Sequence, residues 1–219
     1  LTEEQLATQE RIIKPNIVIK KSNKKAIEQS VFTSTYIYKC DEDAYMIEFR
    51  NLEQSFRKED KFTKSEPAFL LTTTSGSTGS PKPVSFSQKT KLIRANAAIS
   101  YWGINSNDVI MNASPIHSSL GQRLSLTSLI AGATCILLRK FNEKRWVSLA
   151  KIFKLTFTIP VTSHIEILNS NSEFWNIIGA QRFKGLVSSS SFLSEALKKK
   201  LIDKLGSKFY EMYGASEIG

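Results

Sequence analysis

Short runs of apolar and β-branched residues alternate with longer segments of helical spacing over most of the chain, from residue 68 to residue 212. This alternation is typical of α/β domains, in which helices connect strands that run parallel within one sheet. The sequence therefore predicts an α/β fold with a largely parallel sheet. The expected strands are 68–72, 84–86, 109–113, 134–138, 155–159, 185–188 and 208–212, and the expected helices are 88–101, 120–131, 143–153, 162–169 and 194–205.

The helix expected at 88–101 shows how the spacing is interpreted. Leu92, Ala95, Ile99 and Trp102 recur at intervals of three and four residues, so we expect them to face the core. Ser87 precedes the helix and is expected to cap it, because a serine hydroxyl can accept a hydrogen bond from a free N–H of the first turn.

The first 66 residues are less informative than the rest. They contain β-rich runs at 31–39 and 45–49, a short helical pattern at the start, and no motif that carries chemistry. We expect residues 1–66 to form an N-terminal segment of the same domain, and residues 67–219 to form its core.

Composition restricts the class of protein without identifying it. Apolar residues make up 41% of the chain and charged residues 23%, which is ordinary for a globular protein. No stretch reaches the ~20 apolar residues of a transmembrane helix, so no transmembrane segment is expected. The net charge of +10 comes from scattered lysines without interleaved aromatic residues, which favours a lysine-rich surface over nucleic-acid binding. Two distant cysteines favour a reducing, cytoplasmic location.

A loop rich in serine, threonine and glycine directly follows the strand expected at 68–72 and ends in Pro81 and Lys82. Gly76 and Gly79 allow the backbone to approach an anion closely, and successive N–H groups in such a loop can bind phosphate oxygens. Lys82 adds a positive charge, and further donors come from the hydroxyl groups of Thr74, Ser75, Ser77 and Thr78. A flexible linker is the alternative, but linkers seldom connect two buried strands. The spacing of the glycines argues against a Walker A loop.

The segment from Thr74 to Lys82, together with Val84, resembles the phosphate-loop signature T-S-G-S/T-T-G-x-P-K-G-V of the adenylate-forming superfamily. This superfamily includes acyl- and aryl-CoA synthetases, firefly luciferase and nonribosomal peptide adenylation domains. The resemblance implies that residues 74–79 and Lys82 bind the phosphates of ATP. Pro83 departs from the pattern, which has glycine there, and its fixed φ and missing N–H could stiffen the loop or weaken one phosphate contact.

A second segment, Tyr213-Gly214-Ala215-Ser216-Glu217, follows the loop after about 135 residues and resembles the Y-G-x-T-E motif of the same superfamily. The resemblance implies that Tyr213 stacks on adenine and that Glu217 coordinates Mg²⁺. Ser216 replaces the usual threonine and keeps a hydroxyl near the α-phosphate, and Gly214 is expected at both the nucleotide site and the acid pocket.

Two weaker matches lie between these motifs. Pro115–Gly121 resembles the P-x-x-H-x-x-G segment of acyl- and aryl-CoA synthetases, which implies that His117 lies beside the acyl pocket. Residues 188–193 stand where the family has S-G-G-A-P-L, a turn that lines adenine, so Ser191 is expected at the nucleotide site. Ser189 and Ser190 replace the two glycines of that turn.

The resemblance implies that ATP activates a small-molecule carboxylic acid as an acyl-adenylate, which then passes to CoA or to the phosphopantetheine arm of an acyl carrier protein. Lys82, Ser216 and Glu217 are the expected catalytic residues, with ATP and Mg²⁺ as cofactors. Residues 112–121 lack an aspartate to pair a substrate ammonium, which favours an acyl or aryl acid over an α-amino acid. An amino-acid-activating adenylation domain and a non-catalytic nucleotide-binding relative are the alternatives.

The family's ribose-binding aspartate and the catalytic lysine of its small C-terminal domain follow the Y-G-x-T-E motif. We therefore expect the 219 residues to be part of a longer enzyme and to be inactive by themselves.

Overall fold

The computed structural model describes residues 35–41, 44–49, 68–73 and 83–214, and these form alternating strands and helices. The strands are β1 (Thr35–Asp41), β2 (Ala44–Phe49), β3 (Ala68–Thr73), β4 (Pro83–Ser87), β5 (Val109–Asn112), β6 (Thr134–Leu138), β7 (Phe157–Thr158), β8 (Gly185–Ser189) and β9 (Phe209–Met212). The helices are α1 (Gln88–Trp102), α2 (Ser119–Ala131), α3 (Glu143–Ile152), α4 (Thr162–Leu168), α5 (Ser172–Ile178) and α6 (Glu195–Leu205), and a 3₁₀ turn (Gly206–Lys208) precedes β9.

Seven of these strands form one mixed sheet in the order β1-β2-β6-β5-β7-β8-β9. The five strands from β6 to β9 along that order are parallel, which confirms the predicted α/β class. At one edge, β2 pairs antiparallel with β6 and also with β1. Strands from the first 66 residues thus extend the same sheet.

Strands β3 and β4 lie apart from this sheet as an antiparallel pair. Thr73 pairs with Pro83, so the two ends of the predicted phosphate loop are held opposite each other. Pro83 opens its strand, a position at which the missing N–H of proline is tolerated.

Helix termini follow local capping rules. Ser87 Oγ accepts a hydrogen bond from Thr90 N at 3.1 Å, which confirms the expected cap of α1. Gly103, at φ 62°, ends α1 in the left-handed region that favours glycine. Ser194 caps α6 in the same way as Ser87 caps α1.

The sheet separates two groups of buried apolar residues. Ile110 belongs to the group covered by α1 and α2, and the next residue, Met111, belongs to the group covered by α3 to α6. Both side chains are fully buried, as expected for a strand with helices on both faces.

Two sequence expectations need correction. The strand expected at 155–159 is only Phe157–Thr158, because Leu155 N instead closes the end of α3 by bonding to Ala150 O at 2.9 Å. Helix α5 is absent from the sequence prediction, although Asn171 caps it and Phe174, Ile177 and Ile178 are buried at helical spacing.

Among the described residues, no helix combines the length and the apolar character that crossing a lipid bilayer requires.

Candidate functional site

A cavity of about 470 Å³ opens at the carboxyl ends of the parallel strands. Segments that follow β5, β7, β8 and β9 contribute to its wall, together with α1 and α2. Open α/β sheets bind ligands at the carboxyl ends of their strands, because loops from neighbouring strands converge there. The lining residues are Arg94, Ser114, Pro115, Ser118, Ser119, Leu120, Arg123, Val161, Ser189, Ser190, Met212, Tyr213 and Gly214.

The turn from Pro115 to Gly121 forms one wall of this cavity. Ser118 Oγ donates to Pro115 O at 2.7 Å and accepts from Gly121 N at 3.0 Å, which caps α2 and closes the turn. Gly121 lies so close to this turn that an added Cβ would stand 2.1 Å from Pro115 O. Only glycine therefore fits at this point of the cavity wall.

Asn112 fixes the same turn from inside the protein. It is fully buried at the end of β5, where its Nδ2 donates to Gly121 O at 2.9 Å and its Oδ1 accepts from Ser114 N at 3.1 Å. No sequence signal indicates this positioning role, because a single asparagine at a strand end is also typical of an ordinary turn.

His117, the expected acyl-pocket residue, is exposed and does not line the cavity, although its carbonyl accepts from Gln122 Nε2 at 3.2 Å. Counted from Pro115 and Gly121, the histidine position of the P-x-x-H-x-x-G pattern is Ser118. Ser118 lines the cavity, so the wall at this position carries a hydroxyl.

The turn after β8 forms a second wall. Ser190 has φ 93°, the left-handed region in which a residue with Cβ is strained, and this is one of the two positions at which the family pattern has glycine. Thr162 Oγ1 holds the turn by donating to Ser191 O at 2.5 Å. Ser189 and Ser190 line the cavity, whereas the Ser191 side chain is exposed and does not.

Tyr213 and Gly214 lie together at the mouth of the cavity, after β9. The Tyr213 side chain is 93% exposed, so one face of its ring is free to stack on a planar ligand. The expected phosphate-loop residues 74–79 and Lys82, and the expected catalytic residues Ser216 and Glu217, lie outside the described residues.

Three basic side chains lie together between α1 and α2. Arg94 and Arg123 line the inner wall of the cavity, and Lys91 lies beside them at a small adjacent void. Lys91 is 5% exposed, donates from Nζ to Gln122 Oε1 at 3.0 Å and lies 3.8 Å above the Phe86 ring centre. Arg123 Nη1 contacts Met212 Sδ at 2.7 Å, and the Nε atoms of Arg94 and Arg123 are buried without a partner among the described residues. These side chains belong to no sequence motif, so the sequence does not predict them as site residues.

Burial lowers the pKa of all three groups, and neighbouring positive charges lower the pKa values of Lys91 and Arg94 further. Burial, followed by the charges of Arg94 and Arg123, lowers the pKa of Lys91 to about 8. Burial, followed by the charge of Arg123, lowers the pKa of Arg94 to about 10, and burial lowers the pKa of Arg123. The described lining residues include no carboxylate, and the described residues hold no group of three metal-ligating side chains.

Comparison with known proteins agrees with this geometry. The AMP-binding enzyme family matches residues 1–219. The chain belongs to this family. A mitochondrial malonate–CoA ligase from Xenopus laevis is 30% identical over 68% of the chain and 28% of its own length. Long-chain fatty acid transport protein 5 from Mus musculus is 36% identical over 38% of the chain and 12% of its own length.

A solved structure has the same fold as this member of the AMP-binding family. It is the O-succinylbenzoate–CoA synthetase from Bacillus subtilis in complex with ATP and a magnesium ion. The TM-score is 0.62 at 19% identity, over 69% of this chain and 31% of that one. The chain thus spans less than a third of the length of each of these three proteins.

Proposed function

We propose that the protein, as part of a longer chain, activates a carboxylic acid with ATP and passes the acyl group to a thiol, CoA or a carrier-protein arm. The observation that carries the proposal is the cavity at the carboxyl ends of the strands in a member of the AMP-binding family. The turn 115–121, the turn after β8 and Tyr213 all meet in this cavity.

The described residues have distinct roles in this proposal. Tyr213 at the mouth stacks on the adenine ring, and Gly214 allows the nucleotide to approach the backbone closely. Ser118 and the start of α2 bound the acid side of the cavity. The protein's main task is to align two anions, since a carboxylate must attack the α-phosphate.

The remaining roles fall on residues outside the described part of the chain. Thr74, Ser75, Gly76, Ser77, Thr78, Gly79 and Lys82 hold the β- and γ-phosphates, and the pairing of Thr73 with Pro83 at the base of this loop supports that role. Ser216 contacts the α-phosphate and Glu217 holds Mg²⁺. When bound, Mg²⁺ neutralises charge on the phosphates and orients their oxygens.

Two departures from the family pattern are compatible with catalysis. Ser190 adopts a glycine-like φ, so the turn that lines adenine keeps its shape, and Pro83 lies at the start of a strand, where proline is tolerated.

The absence of a carboxylate among the described lining residues leaves a substrate ammonium without a partner, which argues against an α-amino acid. A cytoplasmic location remains a prediction from the cysteine content.

Acid-dependent exchange of pyrophosphate into ATP by the full-length protein tests the proposal. Tyr213→Ala should raise the KM for ATP by about five- to 150-fold, because aromatic stacking on a base contributes about 1–3 kcal/mol. Tyr213→Phe keeps the ring and should retain most of the affinity. ATP binding without exchange across a broad panel of acids would instead indicate a non-catalytic relative.

A further inference from the structure

The inner wall of the cavity concentrates positive charge that the described residues do not neutralise. Arg94 and Arg123 line the cavity, and Lys91 joins them around a small adjacent void between α1 and α2. The three cations repel one another across a site that is partly shielded from water. Such an arrangement costs stability unless an anion balances it.

Part of the hydrogen-bonding capacity of these three side chains is also unused within the described residues. Lys91 has Gln122 as an acceptor, and among the described residues Arg123 contacts the weak acceptor Met212 Sδ. Both arginine Nε atoms are buried without an acceptor within the described residues. An arginine presents its donors in a planar fork that matches a carboxylate, so one carboxylate group can satisfy both the charge and the geometry.

We propose that the acid which this protein activates is a dicarboxylic acid, whose second carboxylate is bound by Arg94 and Arg123. This inference rests on the proposed function. One carboxylate is then placed for attack on ATP near Tyr213 and Gly214, and the other lies against the inner wall. The cavity of about 470 Å³ is of the size that small-ligand sites have.

The positions of Arg94 and Arg123 indicate that the anion they bind comes from the acid rather than from ATP. Arg123 follows the turn 115–121 on α2, the segment that the family resemblance places beside the acyl group. Arg94 lies on α1, more than one helical turn beyond its first residue, Gln88. The loop expected to hold the phosphates instead starts from Thr73 and returns at Pro83.

Matched pairs of acids provide the test in the full-length protein. Pyrophosphate exchange is measured with mono- and dicarboxylic acids of equal chain length, such as hexanoate with hexanedioate and butanoate with butanedioate. We expect kcat/KM to be at least about tenfold higher for the best dicarboxylate than for its partner. Equal or lower values for dicarboxylates would overturn the inference and leave the proposed function standing.

Variants then assign the effect to the two arginines. Arg94→Met and Arg123→Met should each raise the KM for the dicarboxylate at least about tenfold, because one partner of a desolvated charge pair is lost. The KM for the monocarboxylate should rise less than the KM for the dicarboxylate, and far-UV circular dichroism with thermal unfolding shows whether the variants fold. Arg94→Lys should recover part of the loss, and Lys199→Met, which removes an exposed charge on α6, should have no effect.

Two other outcomes overturn the inference in distinguishable ways. An increase in the KM for ATP with both classes of acid would show that the arginines bind phosphate groups. No exchange with any acid, despite ATP binding, would remove the proposed function and the inference together.

Discussion

Ser190 holds a backbone conformation that its side chain disfavours. At φ 93°, the Cβ of an L-residue crowds the backbone, while glycine has no such penalty. The strain persists because Thr162 anchors the same turn through the Ser189 and Ser191 carbonyls. We therefore expect Ser190→Gly to raise the free energy of unfolding by about 1 kcal/mol, as measured by denaturant titration.

Ser189→Gly is the matched control for this prediction. Ser189 pairs with Met212 in regular strand geometry, so glycine there should lower stability by about 0.5–1 kcal/mol. If both glycine variants changed stability equally, strain at residue 190 would not be the cause.

Lys91 should make stability depend on pH. Its pKa in the folded protein is about 8, below the ordinary lysine value of 10.5, so the unfolded chain binds more protons between these values. Stability should therefore rise as the pH increases from about 8 to about 10.5, by up to about 3 kcal/mol from this group.

The comparison that isolates this effect is Lys91→Met, which keeps most of the side-chain volume and removes the charge. Unfolding free energies of both proteins are measured between pH 8 and pH 10. The wild-type protein should gain stability relative to the variant over this range, whereas a constant difference would contradict the assigned cause.

At the scale of elements, the contact between α2 and the turn before it depends on Gly121, which has no side chain. A Cβ at Gly121 would lie 2.1 Å from Pro115 O and 2.7 Å from Pro115 C, and both are backbone atoms that cannot turn aside. Gly121→Ala should lower the free energy of unfolding by about 2 kcal/mol or more, because the start of α2 must move. Thermal and denaturant unfolding provide the measurement.

Gly179→Ala offers a control of the same chemistry. Its added Cβ would meet mainly the end of the Lys204 side chain, which can move to another rotamer. We expect a loss below about 0.5 kcal/mol. A similar loss for both variants would mean that the close approach to Pro115 is not decisive.

The sequence predicts elements well where the apolar pattern is continuous, and less well where polar residues are buried. The spacing predicts that Leu92, Ala95, Ile99 and Trp102 face the core. Ala95 is buried as predicted, but the other buried side chains of α1 are Lys91 and Ala98. Ile99 and Trp102 pack at the edge of the core. Because the buried face includes a lysine, apolar spacing alone cannot locate it.

The site was predictable only in part for a related reason. Motifs located the turns at 115–121 and 188–193 and the segment at Tyr213, and the structure brings all three to one cavity. Arg94 and Arg123 belong to no motif, and they meet only because α1 and α2 pack together. His117 and Ser118 differ by one position along the chain, yet only Ser118 lines the cavity.

Across the whole molecule, the carboxyl ends and the amino ends of the parallel strands have different roles. The cavity occupies the carboxyl ends of the strands, while a polar network joins their amino ends. Asp108, which is 2% exposed, accepts hydrogen bonds from Thr156 Oγ1 at 2.9 Å and from Lys184 Nζ at 2.7 Å. These three residues directly precede β5, β7 and β8, so the network fixes the relative positions of three neighbouring strands.

This separation predicts that stability and binding can be changed independently. Asp108→Ala should lower the free energy of unfolding by about 3 kcal/mol, because it removes a buried charge with its ion pair and leaves Lys184 and Thr156 without this partner. The affinity for ATP, measured by calorimetry well below the unfolding temperature, should not change, because the cavity lies at the opposite ends of the strands.

A double-mutant cycle with Lys184→Met completes this test. The loss in the double variant should be smaller than the sum of the single losses by about 1–2 kcal/mol, since the two side chains form one interaction. Additive losses would show that Asp108 acts through Thr156 and the backbone N–H of Asn105 rather than through the lysine. A change in ATP affinity without a change in stability would instead place Asp108 in the binding machinery. The amino and carboxyl ends of the strands would then not have separate roles.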